Sequence, residues 1–201
     1  FVLQCSQEQL LQALNAVTGE VYENQDYTPF ARQRSAAFQQ RLGHRYHTCG
    51  DYVIADHDSI KSKSGQYYRV FKYYYQQVLT ILKGTEWLPE SGTPRWNTTL
   101  APALARYRVS LTLPSPTNDP IRVGGRSQVL PLLSQLHRFS DYETTREFPQ
   151  YETTLLSPYL KFGNISIREA VQATIKALGR EHELVRQLIW HDFYAYIMYH
   201  A

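Results

Sequence analysis

The chain of 201 residues has two cysteines, Cys5 and Cys49, and one methionine. The cysteines lack CxxC or any other zinc-type spacing, so two reduced thiols in an intracellular setting are expected, with no structural disulfide. His44 and His47 lie close to Cys49, but a second ligand pair is absent, and no metal site is expected. There is no apolar run of 18 residues and no charged-then-apolar leader, which excludes a helical membrane span or a secretion signal within these residues. Gly-rich phosphate loops of the GxGxxG or GxxxxGK[ST] type are missing, as is the Gly-x-Ser-x-Gly nucleophile motif. Dense Lys/Arg blocks are missing too. With 21 basic and 18 acidic residues the net charge is only +3, so a polyanionic partner is tolerated but must be recognised by a shaped site.

Tyrosine, by contrast, is abundant, at 16 residues with clusters at Tyr73–Tyr75 and Tyr194–Tyr199; planar rings with a polar tip suit a wet core edge or a base-stacking surface. A hydrophobic fraction of 43% against 19% charged residues is that of an ordinary globular chain. The opening at Phe1 without methionine, and the stop at Ala201 inside an aromatic helical pattern, read as an internal piece of a longer protein.

Local signals divide the chain in three. Ser6-x-x-Gln9 is a capping box that opens a helix ending near Gly19. Val21 and Tyr22 start a strand, Thr28-Pro29 caps a helix through about Leu42, Asp51–Asp56 around Tyr52-Val53-Ile54 reads as a second strand, and a helix follows over Val70 to Leu82. This rhythm predicts the later part of a parallel α/β domain over residues 1–83. Six of the ten prolines fall between Gly84 and Ser127, and residues 84–127 read as an interdomain linker. From 128 to 201 only helical signals remain. They include a capping box at Ser166-x-x-Glu169, a stop at Gly179 and a last helix from near His182. The fold class expected is α/β followed by all-α.

Two segments carry chemistry. Thr153, Thr154 and Ser157 place three hydroxyls before a helix start, with Ser157 expected at the N-cap and Pro158 at the first helical position; free N–H groups and the positive end of the helix dipole suit an anion there, though a plain capped helix has the same residues. On the last helix Gln187, Trp190, His191 and Tyr194 share one side and Leu184, Val185, Leu188, Ile189 and Phe193 the other. The first side offers an amide, a stacking surface, a switchable cation and a phenol. That set suits a planar, partly polar ligand or, more simply, a packed aromatic face. Asp192, amid the apolar face, needs a buried partner, which Arg186 or a residue beyond the chain could supply.

The run Leu156-Ser157-Pro158-Tyr159-Leu160-Lys161-Phe162-Gly163-Asn164-Ile165-Ser166-Ile167-Arg168-Glu169, followed by Arg186-Gln187-Leu188-Ile189-Trp190-His191-Asp192-Phe193-Tyr194, resembles the DNA photolyase/cryptochrome family. Weaker likenesses lie at Asn24, Tyr27, Pro29, Ala31 and Arg34, at Tyr68-Arg69-Val70-Phe71, at Gly124-Gly125-Arg126, and at Tyr142, Arg146, Phe148 and Pro149. The resemblance implies an antenna domain, a linker, and the first helices of a helical FAD-binding domain. It implies FAD contacts at Tyr142, Thr153, Thr154, Leu155, Leu156, Ser157 and Gln187. Arg146 would meet a DNA phosphate, and Gln187, Trp190, His191 and Tyr194 the lesion.

The implied activity is that of a monomeric deoxyribodipyrimidine photo-lyase, splitting pyrimidine dimers in DNA with reduced FAD and an antenna of methenyltetrahydrofolate or a deazaflavin. No catalytic residue is implied within the chain, and the piece alone is expected to be inactive. Gln187 stands where many pyrimidine-dimer photolyases have Glu, and His191 where the family has Arg. The alternatives are a (6-4) photolyase, which often has Gln there, and a cryptochrome photoreceptor without repair activity.

Overall fold

The computed structural model describes residues 2–84, 101–110 and 123–200. They fall into two compact units, one within Phe1–Cys49 and Glu90–Ile121, the other within Gly50–Pro89 and Arg122–Ala201.

In the first unit α1 (Gln7–Asn15) begins at the reciprocal capping box of Ser6 and Gln9, which satisfies two otherwise orphaned N–H groups. β1 (Val21–Asn24) and β2 (Tyr46–Cys49) pair in parallel, Val21 opposite Tyr46 and Asn24 opposite Cys49. Between them α2 (Pro29–Leu42) crosses over, capped by Thr28 with Pro29 in its first turn. Leu11, Phe38, Leu42 and Tyr46 form the core of this unit. Glu23 ties strand to helix, accepting from Arg34 Nε at 3.1 Å, from Ser35 Oγ at 3.3 Å and from the Tyr46 hydroxyl. Both cysteines are free thiols. His47 pairs with Glu20 at 2.6 Å rather than with His44 or Cys49.

The strand expected over Asp51–Asp56 does not form; β2 ends at Cys49. Val53, Ile54 and Ala55 are buried, and Ile54 and Ala55 belong to the helical core of the second unit. The main-chain N–H of Ile54 donates to Asp192 and its carbonyl accepts from Arg168 Nε at 3.2 Å, so helix side chains supply what a neighbouring strand would have supplied.

The second unit also holds α3 (Phe71–Gly84), α5 (Arg126–Ser134), α6 (Tyr142–Thr145), α7 (Ser157–Lys161), α8 (Ile167–Leu178) and α9 (Glu183–His200). α3 packs on α9, as do α6 and α8. Tyr74 and Val78 of α3 meet Val185, Ile189 and Tyr196 of α9 in one core. Ser166 caps α8 by accepting from the Glu169 N–H at 3.1 Å. The expected return bond of that capping box is not made, because the Glu169 carboxylate instead takes both terminal nitrogens of Arg126 at 2.9 Å. Gly179, at φ +92°, ends the helix in backbone space that side chains disfavour. Of the expected linker 84–127, residues 85–100 and 111–122 lie outside the described residues; within 101–110, Pro102–Ala105 forms the short helix α4.

The candidate ligand face of the last helix

The hydroxyl-bearing turn differs in one respect from its expected form. Leu156, not Ser157, stands at the N-cap of α7, without a side-chain capping bond, so Ser157 occupies the first helical position and Pro158 the second. Leu155 turns the chain at φ +48°, the described non-glycine residue with a left-handed backbone. This turn starts the helix one residue earlier than the Ser-Pro signal implied. Thr153, Thr154 and Leu155 are half-buried, Leu156 is buried and Ser157 exposed. Among the described residues the α7 N-terminus thus has no side-chain cap for its first N–H groups. Tyr142, at the start of α6, is half-buried, and burial pushes its phenol above the usual range, with Arg146 opposing and Glu183 adding to the rise.

Along α9 the expected division of faces is realised: Leu184, Val185, Leu188, Ile189 and Phe193 are buried, while Gln187, Trp190 and His191 are half-buried and Tyr194 is 67% exposed. Trp190 lies flat on Phe71 of α3, ring centroids 3.6 Å apart and 9° from parallel, with Phe193 edge-on at 5.6 Å. Tyr194 flanks it at 5.6 Å. The indole is therefore already stacked within the protein, and it sits at the boundary between core and solvent. His191 tilts over Tyr52 at 5.3 Å, and its Nδ1 is buried without a hydrogen-bond partner among the described residues. Burial holds the His191 pKa below the ordinary imidazole value, with Asp192 pulling it up and Lys161 adding to the drop.

Asp192 does not pair with Arg186, which reaches Glu183 at 3.7 Å instead. Its fully buried carboxylate accepts from the Ile54 N–H at 2.9 Å and the Tyr74 hydroxyl at 2.5 Å, with His57 Nε2 at 3.9 Å. One turn on, the Tyr196 hydroxyl donates to the Ile60 carbonyl and accepts from the Tyr68 N–H, both at 2.8 Å. Together these bonds fasten Ile54–Tyr68 to α9.

A residue that sequence reasoning missed joins two of the expected site positions. Glu183, its side chain 10% exposed, accepts on one oxygen from Gln187 Nε2 at 2.8 Å and pairs through the same oxygen with Arg146 at 2.9 Å. Arg146 Nε also lies 3.2 Å from Glu147, without hydrogen-bond alignment. A Glu in a first helical turn ordinarily complements the helix dipole, so its spacing alone carried no signal beyond that. The spacing Glu183 to Gln187 was the only available pointer. Arg146 and Gln187 thus converge on Glu183, whereas Thr153–Ser157 form a separate turn. Among the described residues no group of three or more potential metal ligands occurs, and no described helix is long and apolar enough to cross a membrane.

The DNA photolyase family model matches residues 1–95. A deoxyribodipyrimidine photo-lyase of Synechococcus is 31% identical over 215 residues, which cover 96% of this chain and 44% of that protein. One from Vibrio cholerae is 26% identical, covering 94% and 43%. The fold is similar to part of a bacterial class III photolyase from Agrobacterium tumefaciens, with a TM-score of 0.71 over 98% of this chain and 44% of that one at 21% identity. The chain spans less than half the length of these relatives, and over nearly all of its own length it is similar to DNA photolyases.

Proposed function

We propose that the chain is part of a deoxyribodipyrimidine photo-lyase, in which residues 1–83 contribute to an antenna domain, 84–127 link, and 128–201 begin the FAD-binding domain. The observation that carries this reading is the accessible side of α9, where Gln187, Trp190 and Tyr194 stand together beside Arg146 in a chain similar to photolyases. An extruded base or dimer needs a flat apolar support and a few polar groups at its edge, which that side offers.

Thr153, Thr154, Leu155, Leu156, Ser157 and Tyr142 would hold FAD. The α7 terminus without a side-chain cap, next to three hydroxyls, fits its diphosphate. Bound there in reduced form, FAD would supply the light-driven one-electron chemistry of repair, with no net redox change. The chain's own work is positioning. Trp190 supports the dimer while Phe71 backs the indole, Gln187 meets the polar edge, and the guanidinium N–H groups of Arg146 not taken by Glu183 serve a DNA phosphate.

The test is Trp190→Ala in a full-length protein containing this chain. Loss of one stacking contact, about 1–3 kcal/mol, lowers affinity for dimer-containing DNA by roughly 5- to 150-fold. Binding to undamaged duplex, which rests on phosphates, is expected to hold at fixed salt. A variant that melts earlier, through loss of the Phe71 stack, yet keeps the ratio of damaged to undamaged affinity would assign Trp190 to packing alone and end the repair reading of this face.

A further inference from the structure

We infer that Glu183 is a positioning residue that fixes the polarity of Gln187, turning its amide carbonyl toward the ligand and selecting a ligand edge that presents an N–H donor. The inference deepens the reading of α9 as a lesion-binding face and rests on it. A glutamine side chain has a donor end and an acceptor end of nearly equal shape, and nothing in its own geometry decides which faces outward. A carboxylate decides it. Glu183 can only accept, so the Gln187 nitrogen faces it, as the 2.8 Å contact records.

Arg146 holds that carboxylate in place at 2.9 Å through the same oxygen, while Arg186 stands 3.7 Å from the other. With its side chain 10% exposed, Glu183 has little freedom to swing into water and release the amide. The Gln187 oxygen is then the acceptor left for a ligand, and the chemistry it recognises is the imide N–H of a pyrimidine or the exocyclic amino group of a purine. An edge that offers only acceptors finds no partner on that oxygen and has only the one N–H that Gln187 keeps beyond Glu183, so it is disfavoured.

The arrangement makes the pair exchangeable. In the double variant Glu183→Gln/Gln187→Glu the amide at 183 donates to the carboxylate at 187, which again leaves an acceptor toward the ligand. In Glu183→Ala the Gln187 amide is free to turn, and Arg146 is freed as well.

Flavin-loaded full-length protein is titrated at one salt concentration with a duplex carrying a single thymine cyclobutane dimer and with its undamaged counterpart, and thermal unfolding is followed in parallel. Glu183→Ala is expected to lower the ratio of damaged to undamaged affinity by about tenfold, the worth of one ligand hydrogen bond. The exchanged pair is expected to return to within about threefold of the parent ratio. A merely structural Glu183 would shift the melting temperature and leave the ratio alone. An unchanged ratio in Glu183→Ala, or an exchanged pair as impaired as Glu183→Ala, overturns the inference while Trp190→Ala still registers the lesion site. A parent protein with no preference for the dimer overturns both.

Discussion

Asp192 accepts from two buried donors, the Ile54 amide and the Tyr74 hydroxyl, in a place without solvent access. Replacing it with alanine takes this acceptor away from both buried donors, at about 1–3 kcal/mol each, on top of the lost charge-assisted strength of the bonds. Asp192→Ala is therefore expected to destabilise the protein by about 3–5 kcal/mol, while Tyr74→Phe, which removes one donor and leaves the carboxylate its other partner, costs about 1–2 kcal/mol. Urea unfolding of both variants measures this, and an Asp192→Ala midpoint equal to that of Tyr74→Phe would contradict the two-donor account. The neighbouring His191 shows the opposite condition, a half-buried ring whose Nδ1 has no hydrogen-bond partner among the described residues.

The helices announce themselves locally, and for that reason the sequence was readable at their ends. Ser6, Thr28 and Ser166 each accept from a main-chain N–H three residues on, and Gly179 stops α8; all four signals lie within a turn of the end they define. The misplaced strand has the opposite character. Val53-Ile54-Ala55 is an apolar run whose partners, Asp192 and Arg168, are 138 and 114 positions away, and a short apolar run reads alike whether strands or helices bury it. The accessible face of α9 was legible from periodicity, but its internal occupants were not: Phe71 under Trp190 and Glu183 against Arg146 depend on packing between elements.

The turn before α7 is an element of mixed legibility, since its hydroxyls were evident and its true N-cap, Leu156, was hidden by the Ser-Pro signal. If that turn holds the flavin diphosphate, Thr153→Ala combined with Ser157→Ala in full-length protein weakens retention by about 1.5–3 kcal/mol for each charge-assisted bond lost. Flavin content after dialysis reads the loss directly, and full retention would remove these hydroxyls from the cofactor site.

At the scale of the whole chain, the helical unit is assembled from two stretches distant in sequence. Ile54, Ile60, Phe71, Tyr74 and Val78 fill the same core as Val171, Val185, Ile189 and Tyr196. A polypeptide limited to residues 123–200 would leave those later side chains facing water, and exposed apolar area of that kind drives association. It is expected to show helical circular dichroism without a cooperative melt, and to bind a hydrophobic dye. A monodisperse species with a sharp thermal transition would show that α3 and the Ile54–Tyr68 segment are dispensable.

The grip of Asp192 on Ile54 bears, finally, on how such proteins drift. Its donor is a peptide N–H, which every residue except proline supplies. Position 54 can exchange one apolar side chain for another of similar size without weakening the bond, so relatives compared in pairs are expected to carry no correlated change between 54 and 192. Tyr74 is the member of the network whose side chain supplies its donor, and a coordinated loss of hydroxyl and carboxylate would leave its trace there.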